Sequence, residues 1–360
     1  MIIDDSFIKK IEEMGYKRLC FISRNYRNIT ASGNKAKIDN EITLEKMGAT
    51  NIGLSRTFFK NKVATFFLDL LGVLRFTFCV RRGDLIVLQY PIKKYFEYLC
   101  KVAHTKGATT MVVIHDLGAF RRKKLSIMRE RHRLAKADMV IASNEVMRLW
   151  LKDSGLTNTT TPLGLFDYRS QSPLPAAAKR KEADTAAAHT IIYASALGMR
   201  KNAFLLKWHD CCPSLPLSVY GKAKDMPALA DVEDVTIKGF MPADQFIASI
   251  NDGWGLVWDG DSTESCTGNF GEYLRYNSPH KLSFYLRAGL PVIVWSQSAT
   301  AHIVTHLGIG MAIDNLSQIK DIVDGVTAED YLSIKKRVAE VAVKLNSGGF
   351  LKTAITESLG

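Results

Sequence analysis

The stretch Gly253–Trp295, GWGLVWDGDSTESCTGNFGEYLRYNSPHKLSFYLRAGLPVIVW, decides the fold class. Trp254–Asp259 is a short apolar run ending in an acid, and a polar, glycine-containing loop follows it. Asn277-Ser278-Pro279 then marks a helix start, with a capping side chain ahead of a first-turn proline. Leu282, Tyr285 and Leu286 fall on one helical face, Gly289 is placed to close the helix, and Pro291–Trp295 begins another strand. Strand, helix and strand in that order form a right-handed crossover between parallel strands.

The same alternation extends in both directions. Apolar runs rich in β-branched residues occur near Arg18–Ser23, Asp84–Gln89, Thr110–His115 and Asp138–Ser143. A second set lies near Thr190–Ser195, Leu217–Tyr220, Val235–Lys238, Trp254–Asp259, Pro291–Trp295 and Gly310–Ile313. Two sets predict an α/β protein of two doubly wound, Rossmann-like domains facing across a cleft. Between them Arg169–His189 is rich in Ala, Pro, Ser and charge without apolar periodicity, and reads as an exposed linker. The expected organisation is an N-terminal domain over 1–168, a linker over 169–189, a C-terminal domain over 190–345, and a last helical piece, 346–360, packing back on the first domain.

Length and composition agree with this. The 360 residues suffice for two cores, at 47% apolar content. The formal charge of +12 calls for an anionic partner. The six cysteines show no C-x-x-C and no paired histidine, so they read as reduced core thiols, with neither a zinc site nor a disulfide framework. The acidic Met1-Ile-Ile-Asp-Asp start lacks the basic region of a secretory signal, which predicts a cytoplasmic protein. Val63–Val80 is the longest apolar stretch, but Asp69 and Arg75 interrupt it, and a central charge costs about 2.5–3.5 kcal/mol on insertion scales. The expectation is a buried helix. The sharper alternative, given Lys60, Lys62, Arg81 and Arg82 at its ends, is a helix lying on an anionic membrane surface.

Open parallel sheets bind ligands outside the carboxyl ends of their strands, which selects the candidate residues. Lys281 stands in the first turn of the helix after Pro279, where free amides and the positive dipole end suit an anion, and a cation there suits a departing diphosphate. Arg200 and Lys201 follow the strand Thr190–Ser195, and Tyr220 and Gly221 follow Leu217–Val219; a ring and a close-approach glycine suit a base or ribose. Asp261, Ser262, Tyr276 and Asn277 complete this nucleotide-diphosphate pocket. Asp259-Gly260-Asp261 has the D-x-D form of a metal site, but it occupies a turn with cations at hand, so no divalent metal and no cofactor are expected. In the first half, Gln89 and the pair His115-Asp116 follow neighbouring strands; a histidine beside an acid has the makings of a general base, with either residue as the proton carrier. Gly33 and Asn34, in the loop ahead of a helix running to Met47, are placed at the same edge. The basic run 121–124, with Arg129, Arg131 and Arg133, reads as a solvated face.

These residues carry a resemblance. GLVWDGDS, YLRYNSPHKLSFYLRAGLPVIVW, IIYASALGMRKNAFL and the first-half QYP and IHD elements resemble the bacterial β-1,6-galactofuranosyltransferase and glucosyltransferase 3-like enzymes, GT-B sugar transferases that use UDP-sugars. The resemblance implies that Arg200, Tyr220, Asn277 and Lys281 contact UDP and that the first domain holds the acceptor. It implies a hexosyltransferase moving galactofuranose, galactose or glucose to a glycan or lipid-linked glycan in polysaccharide biosynthesis, at the inner face of the membrane, with self-association open. The wider GT-B pattern carries a glutamate five residues before Gly289, and Phe284 stands there; Glu264 and Glu272 keep the E-x7-E spacing in another context. Two rivals remain: a nucleotide-sugar epimerase of the same fold, and a basic nucleic-acid-binding protein, for which no recognition module or interleaved aromatics are present.

Overall fold

In the computed structural model, which describes residues 5–27, 32–92, 95–121, 125–175, 189–250 and 252–360, the alternating pattern becomes two parallel sheets in two compact units. Arg122, Lys123 and Lys124 of the basic run and residues 176–188 of the segment between the strand sets lie outside the described residues.

The first unit comprises Met1–Asp167 and Gly348–Gly360. Its sheet contains β1 (Arg18–Phe21), β2 (Thr50–Asn51), β3 (Asp84–Tyr90), β4 (Thr109–Ile114), β5 (Met139–Ala142) and β6 (Thr159–Pro162), in the order β2-β1-β3-β4-β5-β6 with every pair parallel. All seven residues of β3 are buried, as expected for a strand covered on both faces by crossover helices. Helix Gly349–Leu359 belongs to this unit, packing on β5 and β6 and on helix Ser32–Lys46. The buried Asp167 carboxylate accepts from the Phe350 and Leu351 amides at 3.1 and 2.8 Å, satisfying two orphan donors at the helix start.

The second unit, Tyr168–Ser347, holds β7 (Ile191–Ala194), β8 (Leu217–Tyr220), β9 (Val235–Gly239), β10 (Trp254–Val257), β11 (Val292–Trp295) and β12 (Gly310–Ile313), in the order β12-β11-β10-β7-β8-β9, again parallel throughout. Gly255 on β10 lets helix His280–Arg287 seat against the sheet: a Cβ there would lie 2.4 Å from Tyr285 Cγ. The Tyr285 hydroxyl accepts from the Ala194 amide at 2.6 Å, tying that helix to β7. Residues 169–175 are part of this unit's body: the buried Arg287 guanidinium donates to the Ser172 and Pro173 carbonyls at 2.5 and 3.1 Å.

Several expectations need correction. The short strands β2 and β6 lack an apolar run and escape a sequence reading. Gly33 and Asn34 are not loop residues, because helix Ser32–Lys46 already begins at Ser32. Pro279 itself is the N-cap of helix His280–Arg287, with no side-chain capping bond from Asn277 or Ser278. Helix Lys62–Cys79 is not a buried helix: it buries Thr65, Gly72, Val73 and Phe76 but exposes most of its bulky apolar side chains. Among the described residues no helix is long and apolar enough to cross a membrane. All six cysteines are free, four of them buried.

Candidate active site

At the carboxyl edge of the second sheet, β7, β10 and helix His280–Arg287 converge on one carboxylate. Asp259, just past β10, is 5% exposed, and Lys281 Nζ donates to its Oδ1 at 2.6 Å. The same ammonium donates to the Trp258 carbonyl at 3.0 Å and to the Tyr193 hydroxyl at 3.3 Å. Its three protons thus meet three acceptors. Lys281 is therefore not the open surface cation that its place in a first helical turn suggests. Burial pulls its ammonium down to about 8, against the opposing attraction of Asp259. The Tyr193 hydroxyl faces the Trp258 carbonyl at 3.0 Å and Asp259 Oδ1 at 3.2 Å and accepts from the Asn202 amide.

Lys201 adds a second cation. Its Nζ lies 3.8 Å from Asp259 Oδ1 and 3.1 Å from Ser195 Oγ. Its backbone carbonyl accepts from the Gly260 amide at 2.7 Å, docking the turn after β7 onto the loop after β10. Two lysines around one carboxylate leave a net positive charge at this edge, which is what a diphosphate requires. Arg200 is exposed beside them.

The D-x-D carboxylates are both engaged within the protein. Asp259 serves Lys281, and Asp261, on the exposed loop, accepts from the Thr267 hydroxyl at 2.5 Å, a bond that holds its carboxyl below the usual range. Ser262 contributes its carbonyl to Trp258 Nε1 at 3.0 Å. Gly221 answers a packing need: a Cβ there would lie 2.4 Å from the Ser195 carbonyl, so the glycine lets the ends of β7 and β8 close together. The half-buried Tyr220 ring packs edge-on to Phe246 at 4.9 Å, and Phe246 lies 4.6 Å from Phe284. Phe284, where a glutamate is usual in the wider pattern, therefore belongs to an aromatic stack. Tyr276 and Asn277 are half-buried, and Asn277 Oδ1 is a buried atom with no hydrogen-bond partner among the described residues. A buried unsatisfied amide oxygen in a folded chain calls for an external donor.

The first unit builds a second cluster at the edge of β3 and β4. His115 Nε2 lies 2.9 Å from Gln89 Oε1, and the imidazole stacks on Phe166 with centroids 5.1 Å apart. Gln89 Nε2 donates to the Lys37 carbonyl at 3.0 Å, which orients the amide so that its oxygen faces the histidine. The Asn40 amide, at 3.4 Å, is too distant to compete. Nε2 therefore carries the proton, and Nδ1 is the basic nitrogen. Asp116 follows, half-buried. Asn34 Nδ2 donates to the Tyr26 carbonyl at 2.7 Å, and Gly33 lies exposed in the same first helical turn.

The structure thus joins Lys201 with Lys281 and Gln89 with His115. Sequence reasoning missed Tyr193, Lys37, Asn40 and Phe166, and it noted Asp259 only as part of a D-x-D turn, not as the partner of Lys281. The short Gln89-to-His115 spacing across adjacent strands was the available signal; the Tyr193 and Phe166 contacts close over long separations that no local pattern records.

Comparison with known proteins follows the same division. Residues 19–165 match the glucosyltransferase 3-like N-terminal domain and residues 191–358 the glucosyltransferase 3-like C-terminal domain. Beta-1,6-galactofuranosyltransferase WbbI of Escherichia coli (strain K12) is 30% identical over 277 residues, covering 76% of this chain and 78% of that one. Glucosyltransferase 3 of Streptococcus parasanguinis is 25% identical over 289 residues, covering 78% and 80%. Among solved structures, the sucrose-phosphate synthase of Thermosynechococcus elongatus superposes with a TM-score of 0.59 at 13% identity, over 94% of this chain and 97% of that one. The trehalose 6-phosphate synthase of Burkholderia multivorans gives 0.58 at 10% identity, over 95% and 96%. At such identities the likeness concerns fold, and the fold is that of the GT-B glycosyltransferases. With both domain profiles matched across most of its length, the chain belongs to the glucosyltransferase 3-like family and is a glycosyltransferase.

Proposed function

We propose that this glycosyltransferase moves a hexose from a UDP-sugar, bound at the second sheet's carboxyl edge, to a hydroxyl of a glycan or lipid-linked glycan bound at the first. The observation that carries the donor reading is the buried Lys281–Asp259 pair with Lys201 beside it, a preorganised positive centre where a leaving diphosphate gains charge. Support for UDP comes from fold neighbours described as bound to UDP-2-fluoro glucose and to UDP. Support for a hexose comes from relatives named for galactofuranose and glucose transfer.

In this reading the acceptor oxygen bonds to the anomeric carbon, the bond from that carbon to the phosphate oxygen breaks, and UDP leaves with the electron pair. His115 or Asp116, adjacent at the edge of β3 and β4, takes the acceptor proton. Lys201 and Arg200 meet the phosphates directly. Lys281 exchanges its longest contact, the 3.3 Å one to Tyr193, for a phosphate oxygen. Asn277 Oδ1 accepts from a donor on the nucleotide, and Asp261, Ser262, Tyr220 and Tyr276 line its approach. This scheme uses no divalent metal: Lys201, Arg200 and Lys281 supply the positive charge that neutralises the phosphates.

The test is calorimetric titration with UDP, GDP and CDP, followed by UDP-release assays with UDP-galactofuranose, UDP-galactose and UDP-glucose with and without EDTA. UDP is expected to bind best and turnover to survive chelation. Absence of UDP binding overturns the donor reading, and loss of turnover in EDTA overturns the metal-free one.

A further inference from the structure

Helix Lys62–Cys79 is inverted relative to an ordinary surface helix. Its buried side is narrow and partly small or polar, made of Thr65, Gly72, Val73 and Phe76. Its outer side carries Val63, Phe66, Phe67, Leu71, Leu74 and Phe78, between 44% and 80% exposed. Val63, Phe67, Leu71, Leu74 and Phe78 advance by four, four, three and four residues, with Phe66 beside Phe67, so they form one continuous stripe along the axis. The exposed rings of Phe58 and Phe59 extend it at the N-terminal end. The helix is firmly built: Asn61 Oδ1 accepts from the Val63 and Ala64 amides at 2.8 and 3.1 Å. An apolar stripe of this length, held facing outward, marks an interaction surface.

The charges around it select the occupant. Lys60 and Lys62 lie exposed at one end of the stripe, Arg81 and Arg82 at the other, and Arg75 along its side. The helix holds a single acid, Asp69, which is half-buried and which burial pushes toward its neutral form. Two copies paired through this stripe would bring cation to cation in either relative orientation, because both ends are positive. An anionic lipid surface complements both ends at once, while the rings enter the headgroup boundary and the lysine and arginine stems reach to the phosphates. At 18 residues the helix is about 27 Å long and carries two charges in its middle, so it suits the plane of the interface rather than a crossing.

We propose that the outward stripe of helix Lys62–Cys79, with its basic ends, docks the enzyme on anionic bilayer headgroups. None of the residues involved is among those assigned to donor or acceptor, so this surface stands or falls independently of the transfer reading.

The experiment is flotation of the whole chain with vesicles of phosphatidylcholine alone or mixed with phosphatidylglycerol, at low and high salt, alongside Phe67→Asp/Phe78→Asp and Lys60→Glu/Arg82→Glu variants. Wild type is expected to float with the anionic vesicles only, and less at high salt. Each double variant is expected to lose about tenfold or more of that binding while keeping its melting temperature and UDP affinity. Equal binding by wild type and both variants overturns the proposal. So does a wild type that ignores vesicles and is a dimer by light scattering while the Phe67→Asp/Phe78→Asp variant is a monomer, a result that assigns the stripe to a second copy of the chain. A wild type that ignores vesicles and is monomeric overturns it as well.

Discussion

Replacing Lys281 by methionine separates its two roles, neutralising Asp259 and attracting a diphosphate. The substitution keeps the aliphatic stem and removes an ammonium that makes contacts of 2.6, 3.0 and 3.3 Å. Stranding one member of a buried ion pair costs about 3–5 kcal/mol. Lys201, 3.8 Å from the same carboxylate, remains to offset part of that, which places the loss at about 3 kcal/mol. For a unit of the size of Tyr168–Ser347 this lowers the melting temperature by about 6–12 °C. The partner variant Asp259→Asn/Lys281→Met removes the stranded charge, and scanning calorimetry should find it within about 1 kcal/mol of wild type. Its UDP affinity, measured by titration calorimetry, should nevertheless stay about tenfold or more below wild type, because a charged hydrogen bond of about 1.5–3 kcal/mol to the phosphate is gone. A double variant that is stable and binds UDP like wild type refutes the reasoning, since Lys281 would then serve Asp259 alone.

Three further outcomes follow from particular contacts. UDP affinity should hold below about pH 8 and fall by up to about tenfold per pH unit above it, because the free enzyme's Lys281 loses its charge there whereas bound phosphate keeps it; a flat titration profile from pH 7 to 10 contradicts this. Gln89→Ala removes the acceptor that fixes the His115 tautomer, so kcat should drop about tenfold to a hundredfold with KM for the donor unchanged, and Gln89→Glu, by favouring the imidazolium, should shift the acidic limb of the pH–rate profile upward; unchanged kcat in both variants dismisses the pairing. Gly255→Ala forces a Cβ against the Tyr285 ring at 2.4 Å, and thermal melting should show a loss of about 1–3 kcal/mol that Tyr285→Phe, which keeps the clashing ring, does not relieve; a Gly255→Ala variant that melts like wild type contradicts this.

The parts of the fold written in local periodicity were legible. Strands such as Leu85–Leu88 and Val292–Trp295 announce themselves because a strand covered on both faces must be apolar throughout. Edge strands β2 and β6 carry no such requirement, being two and four residues long and mostly threonine and asparagine. Helix Lys62–Cys79 was recognised as a helix but assigned the wrong face, since a 3.6-residue period records that one side is apolar without recording whether protein or solvent lies against it. The site divides in the same way. Placing Lys281 at a strand-edge helix start needed only the order of elements, whereas its acceptors Asp259 and Tyr193 lie 22 and 88 residues away in the chain. The Asn277 cap failed because Pro279, extended and without an amide proton, took the N-cap position itself.

Helix Gly349–Leu359, clasped by Asp167, has a consequence for how the protein is made. The chain leaves the first unit at Asp167 and re-enters it at Gly348, so a ribosome releases the whole of Tyr168–Ser347 before the first unit receives its closing helix. Until then the surface of β5 and β6 that accepts Phe350, Leu351 and Ile355 stays uncovered. The second unit, continuous in sequence, can finish folding first, and a nascent chain stalled before residue 348 would present that apolar seam to chaperones and proteases.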